Sequence, residues 1–191
     1  MRIRHSFIVR AIALVGCLLV VTSCTQVSLP TGQPVTVGRV VNGNTIEITS
    51  QSDNLTVLKK VRLIGIMAPD LQQDPWGIQA KIELEKLTLG KQLLLETDTE
   101  KSDRWQNQQG YLWQENLLIN EHLVKQGFVL AEEKFPNRKY SERLAHAQEW
   151  ARIMGLGIWR PESPMRLTPQ EFRSQNSSTI DQNEVMADQS E

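Results

Sequence analysis

Cysteine is scarce in this chain of 191 residues: there are two, Cys17 and Cys24, both near the N-terminus. Residues 25–191 hold none, so no intramolecular disulfide staples the body and its stability rests on core burial. Charge of one sign is also lacking. The formal net charge is -1, but three of the 21 Lys+Arg lie in the first 23 residues, which hold no acid; residues 24–191 carry 18 against 22 Asp+Glu. A mildly acidic body is not built for strong non-specific binding to a polyanion, which leaves room only for a local basic patch. His122 and His146 fall in separate predicted helices without identifiable partner ligands, and read as surface or packing residues rather than metal ligands. Internal repeats and coiled-coil heptads are absent.

No apolar run reaches the roughly 20 residues that span a bilayer. The N-terminal run, residues 11–21, is 11 residues long and follows Arg2, Arg4 and Arg10. That order matches an export signal. Val21-Thr22-Ser23-Cys24 resembles the lipobox of bacterial lipoproteins. The resemblance implies that residues 1–23 are a signal peptide and Cys24 the lipidated end of the mature chain. The protein would then be exported and anchored by acyl chains to the periplasmic or extracytoplasmic face of a bacterial membrane. The alternative is a plain signal peptide cut nearby, with Cys24 incidental. Residues 24–34 are polar, with two prolines and a glycine, and read as a tether. Residues 161–191 are rich in Ser, Gln, Asn, Asp and Glu, and read as a disordered tail.

Between these lies one domain, residues 35–160. Residues 35–41 and 45–49 alternate as strands, joined at Asn42-Gly43-Asn44, where an Asn-Gly pair suits the positive φ of a hairpin. Residues 55–66 form a third strand, completing a meander. Pro75 opens a helix over 75–89 with Ala80, Leu84 and Leu87 on one face, stopped by Gly90. Residues 92–97 and 111–113 supply two further strands. A second helix spans 116–126, residues 128–136 are irregular, and a third helix spans 139–154 with Leu144, Ala147, Ala151 and Met154 on one face. Trp150 and Trp159 read as core or domain-closing aromatics. The expected class is α+β, mainly β: a five-stranded OB-fold barrel with three helices.

The stretch Val61-Arg62-Leu63-Ile64-Gly65-Ile66-Met67-Ala68-Pro69-Asp70 organises the chain. Its apolar residues hardly alternate, as in a strand covered on both faces. Arg62 interrupts the run, and a guanidinium there needs a partner, a bound anion or water. An arginine and a carboxylate at a barrel mouth can handle a phosphate, or can form a structural ion pair. Lys59, Lys60 and Arg62 form a local basic run of the kind usually seen at a solvated strand end.

Six blocks in order resemble the staphylococcal nuclease-like, or thermonuclease, domain: residues 40–45, 61–70, 77–80, Asp103-Arg104-Trp105 through Leu112, 120–127, and Gly155-Leu156-Gly157-Ile158-Trp159. The resemblance covers residues 35–160. It implies the OB barrel with three helices and a calcium-dependent phosphodiesterase that cuts DNA and RNA. In that chemistry carboxylates hold a hard cation, two arginines stabilise phosphoryl charge, a glutamate positions water, and aromatic and basic side chains hold the nucleotide.

Set against that pattern, this sequence departs at most catalytic positions. The metal-binding turn Asp-Gly-Asp is Asn42-Gly43-Asn44, and Asn44 has lost its charge. The second acidic ligand is Met67, a thioether that a hard cation does not favour, and Ala68 removes a further oxygen. Asp70 keeps a carboxylate at the general-base position, one methylene shorter. Asn107 stands where the second catalytic arginine is expected. Arg62 alone is intact. Arg104 matches a nucleotide-contacting position, Trp105 the base-stacking position, and Phe135 the facing wall across an alignment gap. The bland alternatives stay open: Arg62 as a structural pair with Asp70 or another acid, and Trp105 as an exposed loop or partner-binding residue. Three functions follow as expectations: a membrane-anchored pseudo-nuclease binding single-stranded nucleic acid, a nucleotide or an unknown protein partner; a weak nuclease working through Arg62 and Asp70, with calcium if any cofactor; or a scaffold lipoprotein.

Overall fold

The structure, a computed structural model, describes residues 30–52 and 55–176, with side chains except at 50–57. The expected signal peptide, Cys24 and residues 24–29 of the tether lie outside the described residues, as do residues 177–191.

Strands β1 (Gln33–Val35), β2 (Val37–Asn42), β3 (Thr45–Ser52) and β4 (Leu55–Leu63) lead the chain. β2, β3 and β4 form the expected antiparallel meander. Then come β5 (Ile66–Met67), helix α1 (Trp76–Thr88), β6 (Leu93–Glu96), β7 (Gln108–Gln114), β8 (Leu117–Leu118), α2 (Ile119–Lys125), β9 (Leu130–Ala131), α3 (Ser141–Ile153) and a 3-10 turn (Gly157–Trp159). The main sheet runs β1-β6-β7-β4-β3-β2, with β4 and β7 parallel and the other neighbours antiparallel. Its two end strands, β1 and β2, are separated in the chain by Thr36 alone, whose carbonyl accepts from Thr49 N at 3.0 Å. One bent strand thus touches both ends of the sheet. Counted as one, it gives the five main strands expected of an OB-like, mainly β domain, with β8 a short addition beside β7.

The core fills the inside of this wall. Ile46, Val61, Leu63, Ile66, Leu112, Leu123 and Val124 are fully buried, and α1 adds Ala80 and Leu84 from its expected face. α3 adds Leu144, Ala147 and Ala151. Two residues assigned to the interior are not there. Met154 and Trp150 are half-exposed, because α3 turns that side to solvent, where Lys125 Nζ sits 5.6 Å from the Trp150 ring. Trp159 does pack back; Arg152 lies 4.9 Å from its ring centroid.

Gly43 does not serve through a positive φ. A Cβ there would lie 2.6 Å from Ala80 Cβ and 2.9 Å from Ala68 Cβ, so the residue is a contact point between the hairpin and α1. The expected strand over 55–66 also breaks. Gly65 adopts φ 77°, Ile64–Gly65 turns the chain, and Ile66–Met67 pairs instead with Leu130–Ala131. That turn is pinned by buried Asn120, whose Nδ2 donates to Ile64 O at 2.8 Å while its Oδ1 accepts from Leu112 N at 2.9 Å.

Residues 161–176 depart from the expectation of a structureless tail. Met165 N donates to Ile158 O at 2.8 Å, and Gln73 Nε2 donates to Leu167 O at 3.1 Å. A fourth helix, α4, covers residues 169–176. Thr168 and Glu171 form its capping box: Thr168 N and Oγ1 donate to Glu171 Oε2 at 2.7 and 2.8 Å, and Glu171 N donates to Thr168 Oγ1 at 3.2 Å. Pro169 fills the first helical position, which requires no N–H.

Candidate nucleic-acid cleft

Arg62 leaves the sheet on its outer side. Its β4 neighbours Val61 and Leu63 are fully buried, so the strand alternates after all and the guanidinium points away from the core, with 35 % of its side chain exposed. β4 pairs Arg62 with Thr45 on one side and Gln109 on the other. Beside it opens a cleft of about 380 Å³, lined by Arg62, Arg104, Trp105, Phe135, Asp103 and Glu132 among others. Four residues expected of a nucleotide site therefore come together from three separate segments.

The Trp105 loop is tightly built. Asp103 Oδ1 accepts from the backbone N–H groups of Trp105 and Asn107, both at 2.9 Å, and its Oδ2 accepts from Asn107 Nδ2 at 3.0 Å. Desolvation pushes the Asp103 carboxyl upward, but these hydrogen bonds and the charge of Arg62 together outweigh it and hold the group below its ordinary value. Arg104 Cζ stacks 3.9 Å from the Trp105 ring centroid. Trp105 is 65 % exposed and Phe135 82 %, so two large apolar rings at the cleft stand in water. Exposed aromatics beside cations suit stacking of an unpaired base.

The cleft's two loops are sewn together by side-chain amides. Buried Asn137 accepts from Glu100 N at 2.8 Å and donates to Glu100 O at 3.0 Å, while Gln109 Nε2 donates to Ser102 O at 3.2 Å. Neither residue announces itself in the sequence, since amides are ordinary in polar loops. Glu132 was equally invisible. Its N–H donates to Gly65 O at 2.9 Å, which sets its carboxylate 3.6 Å from Arg62 Nη2. The acid facing Arg62 is Glu132 rather than Asp70.

The remaining expected site residues do not line the cleft. Asp70 Oδ1 accepts from Gln72 N at 3.1 Å, and Asp70 N donates to Gln73 Oε1 at 2.9 Å, so the residue caps its own turn. Asn107 is committed to Asp103. Asn44 is 4 % exposed; its Nδ2 donates to Ile66 O at 3.2 Å and its Oδ1 accepts from Thr45 Oγ1 at 3.2 Å. The amide thus ties the hairpin to β5, a bond that an aspartate in its place could not donate. Met67 lies in β5 opposite Leu130. The residues at the family's calcium position therefore do not fit a hard cation: one offers an occupied amide and the other sulfur. Among the described residues no group of three or more His, Cys, Asp or Glu side chains is placed to hold a metal ion. His122 sits 3.8 Å from Glu83, and His146 is exposed on α3.

Comparison with known proteins agrees with the architecture. The thermonuclease of Staphylococcus hyicus is 29 % identical over 126 residues, which cover 63 % of this chain and 72 % of that protein. The thermonuclease of Staphylococcus intermedius is 30 % identical over 133 residues, 67 % of this chain and 77 % of its own. An uncharacterized endonuclease of Haemophilus influenzae is 30 % identical over 132 residues, 66 % and 70 % of the two chains. The model of the staphylococcal nuclease homologue family matches residues 60–161, more than half of the sequence, and the chain belongs to that family.

Proposed function

We propose that this nuclease-family domain binds single-stranded nucleic acid or a nucleotide through the Trp105–Phe135 cleft and cuts it very weakly or not at all. The observation that carries this reading is the Asn44 amide, which donates to Ile66 O where the family's chemistry calls for a cation-binding carboxylate. The binding half of the site is favoured by the exposed rings of Trp105 and Phe135 and by Arg104 stacked on the former. The catalytic half has lost charge at Asn44, Met67 and Asn107, and its one arginine faces Glu132. Removing a single preorganised charge-stabilising donor costs about 100- to 1,000-fold in rate. Two metal carboxylates and one arginine together exceed that many times over.

The test is to incubate the full-length chain with single-stranded DNA and RNA, with calcium and with chelator, beside Arg62→Ala. The expected result is no cutting, together with quenching of tryptophan fluorescence on adding oligonucleotide, lost in Trp105→Ala. Calcium-dependent cutting that disappears in Arg62→Ala would instead support an active nuclease working through Arg62 and Asp70.

The same proposal places the domain at a bacterial membrane, on the exported side, through lipidated Cys24. The basic start, the 11-residue apolar run and the lipobox-like Val21–Cys24 support this. Fatty-acid labelling that is lost in Cys24→Ala checks it, and an unlabelled wild-type chain counts against the anchor.

A further inference from the structure

A second concavity, of about 390 Å³, lies on the other side of the Trp105 loop, lined by Lys59, Lys60, Lys101, Ser102, Asn107 and Gln108 among others. Among the described residues no salt bridge reaches any of its three ammonium groups, although Lys60, after Arg39, lies close enough to Glu47 to help hold that carboxyl below its ordinary value. The acid across the strand from Lys60 is Glu47, and both of its carboxylate oxygens are taken by Arg39, at 2.8 and 3.0 Å. The cleft differs. There Arg62, Arg104 and Lys134 meet Glu100, Asp103 and Glu132, equal numbers of each sign. Over residues 35–160 the charges balance, 16 Lys+Arg against 16 Asp+Glu, so the local surplus of positive charge sits beside the cleft rather than in it.

Two structural elements connect the sites. Lys60 and Arg62 are two residues apart on β4, hence on one face and about 7 Å apart along the strand. On the parallel neighbour β7, Gln108 lines the lysine pocket and Gln109 the cleft. The loop between them is the shared wall: Asp103 and Trp105 face the cleft, and Asn107, bonded to Asp103, lines the pocket.

We propose that the Lys59–Lys60–Lys101 pocket is a second phosphate site, which takes a backbone phosphate of a single-stranded nucleic acid leading into the Trp105 cleft. Lysine ammoniums act as point charges for phosphate, and Ser102 and Gln108 add neutral donors. The side chains that line the pocket are all polar. That suits a solvated sugar-phosphate chain better than a bilayer surface, where apolar residues beside the cations would insert. The inference extends the binding reading of the cleft and rests on it.

The test uses the full-length chain in chelator and labelled oligothymidylates of about 4 and about 12 nucleotides, lengths within the range of one OB fold. Fluorescence anisotropy is followed across a salt series. In Lys59→Gln/Lys60→Gln/Lys101→Gln, binding of the longer oligonucleotide is expected to weaken about tenfold or more, and its log–log salt slope to fall by about 0.7, the value of one phosphate contact on a single strand. The shorter one, which occupies the cleft alone, is expected to bind as before. Unchanged affinity and slope for the longer oligonucleotide in the folded triple variant overturn the pocket. Trp105→Ala separates this from the cleft reading. A lysine effect with no Trp105 effect removes the cleft and leaves the pocket; the converse removes the pocket alone. Loss of binding to phosphatidylglycerol vesicles, with oligonucleotide binding intact, assigns the lysines to lipid headgroups and also overturns the proposal.

Discussion

Arg62 Nη2 lies 3.6 Å from the Glu132 carboxylate, an acid 70 positions further along the chain that a backbone bond to Gly65 holds in place. A phosphate bound at Arg62 would compete with the Glu132 carboxylate for the guanidinium. Glu132→Gln should therefore strengthen binding of a short oligonucleotide. Partly exposed pairs contribute about 0–1 kcal/mol, so the gain is limited to about fivefold. Titration beside the double variant Arg62→Ala/Glu132→Gln, in which the gain should vanish, checks this.

Asn44→Asp restores a carboxylate at the family's metal position but removes the donor to Ile66 O. The buried carbonyl loses its partner and a charge enters a site only 4 % exposed. A loss of about 1–3 kcal/mol is expected in chelator, read from urea denaturation. If calcium recovers that loss, the position still holds a cation and the fit argued above is wrong.

Glu96 is buried and accepts from Trp113 Nε1 at 2.8 Å, Tyr140 OH at 2.9 Å and Lys139 Nζ. Around it, burial raises the phenol of Tyr111, with Asp98 adding to the shift, and burial followed by Glu96 raises that of Tyr140. The hydrogen bond to Glu96 raises Lys139. All three hold their protons more tightly in the folded state. Their contribution is present below the unfolded values of roughly 10 and is lost as pH rises through the folded ones. The urea midpoint should stay level through pH 9 on this account and fall above about 10. Tyr111→Phe should flatten that fall. A slope unchanged by Tyr111→Phe and Tyr140→Phe would place the alkaline loss elsewhere.

Asp103 behaves in the opposite sense. Its folded value lies below the ordinary carboxylate range, so its contribution is present above about 4 and is lost as the pH drops below that. Because the same carboxylate holds the Trp105 loop, oligonucleotide binding should fall in that acid window before the core unfolds. Asp103→Asn should weaken binding at neutral pH. Unchanged oligonucleotide binding by folded Asp103→Asn at neutral pH would contradict this role.

Gln73, 4 % exposed, joins Asp70 N to Leu167 O through its two amide atoms. Gln73→Ala leaves both unsatisfied and should cost about 1–3 kcal/mol. It should also loosen residues 161–176 from the turn that carries Trp76. Faster hydrogen exchange in α4 than in α1 of the variant is the expected signature; equal exchange would show that α4 is held by other contacts.

Most of the fold was legible in the sequence, because faces of helices and strands are set by local periodicity. Ala80 and Leu84 on α1, and Leu144, Ala147 and Ala151 on α3, are buried where spacing puts them. The miss at Met154 is an end effect: the residue is the C-cap of α3, beyond Ala151, the last buried residue of the helix. The miss at 161–176 was composition overriding a local signal. Thr168-Pro169-Gln170-Glu171 is a capping box with proline at the first helical position, and hydrogen bonds from Gln73 to Leu167 and from Met165 to Ile158 tie the segment to the body.

By itself the sequence determined the order of elements, the family and the pieces of the cleft. Arg62, Arg104 and Trp105 each sit in a block with its own local spacing, while Phe135 was reached only across an alignment gap. Only the tertiary structure decided what those groups face. The partner of Arg62 comes from 70 positions away, the anchor of the Asp70 turn from 94 positions between Gln73 and Leu167, and the acid across the strand from Lys60 is hydrogen-bonded to Arg39 instead. Charge compensation is a property of distance in space, falling off within about 10 Å in salt. It cannot be read from residue types before the loops that carry them are folded over one another.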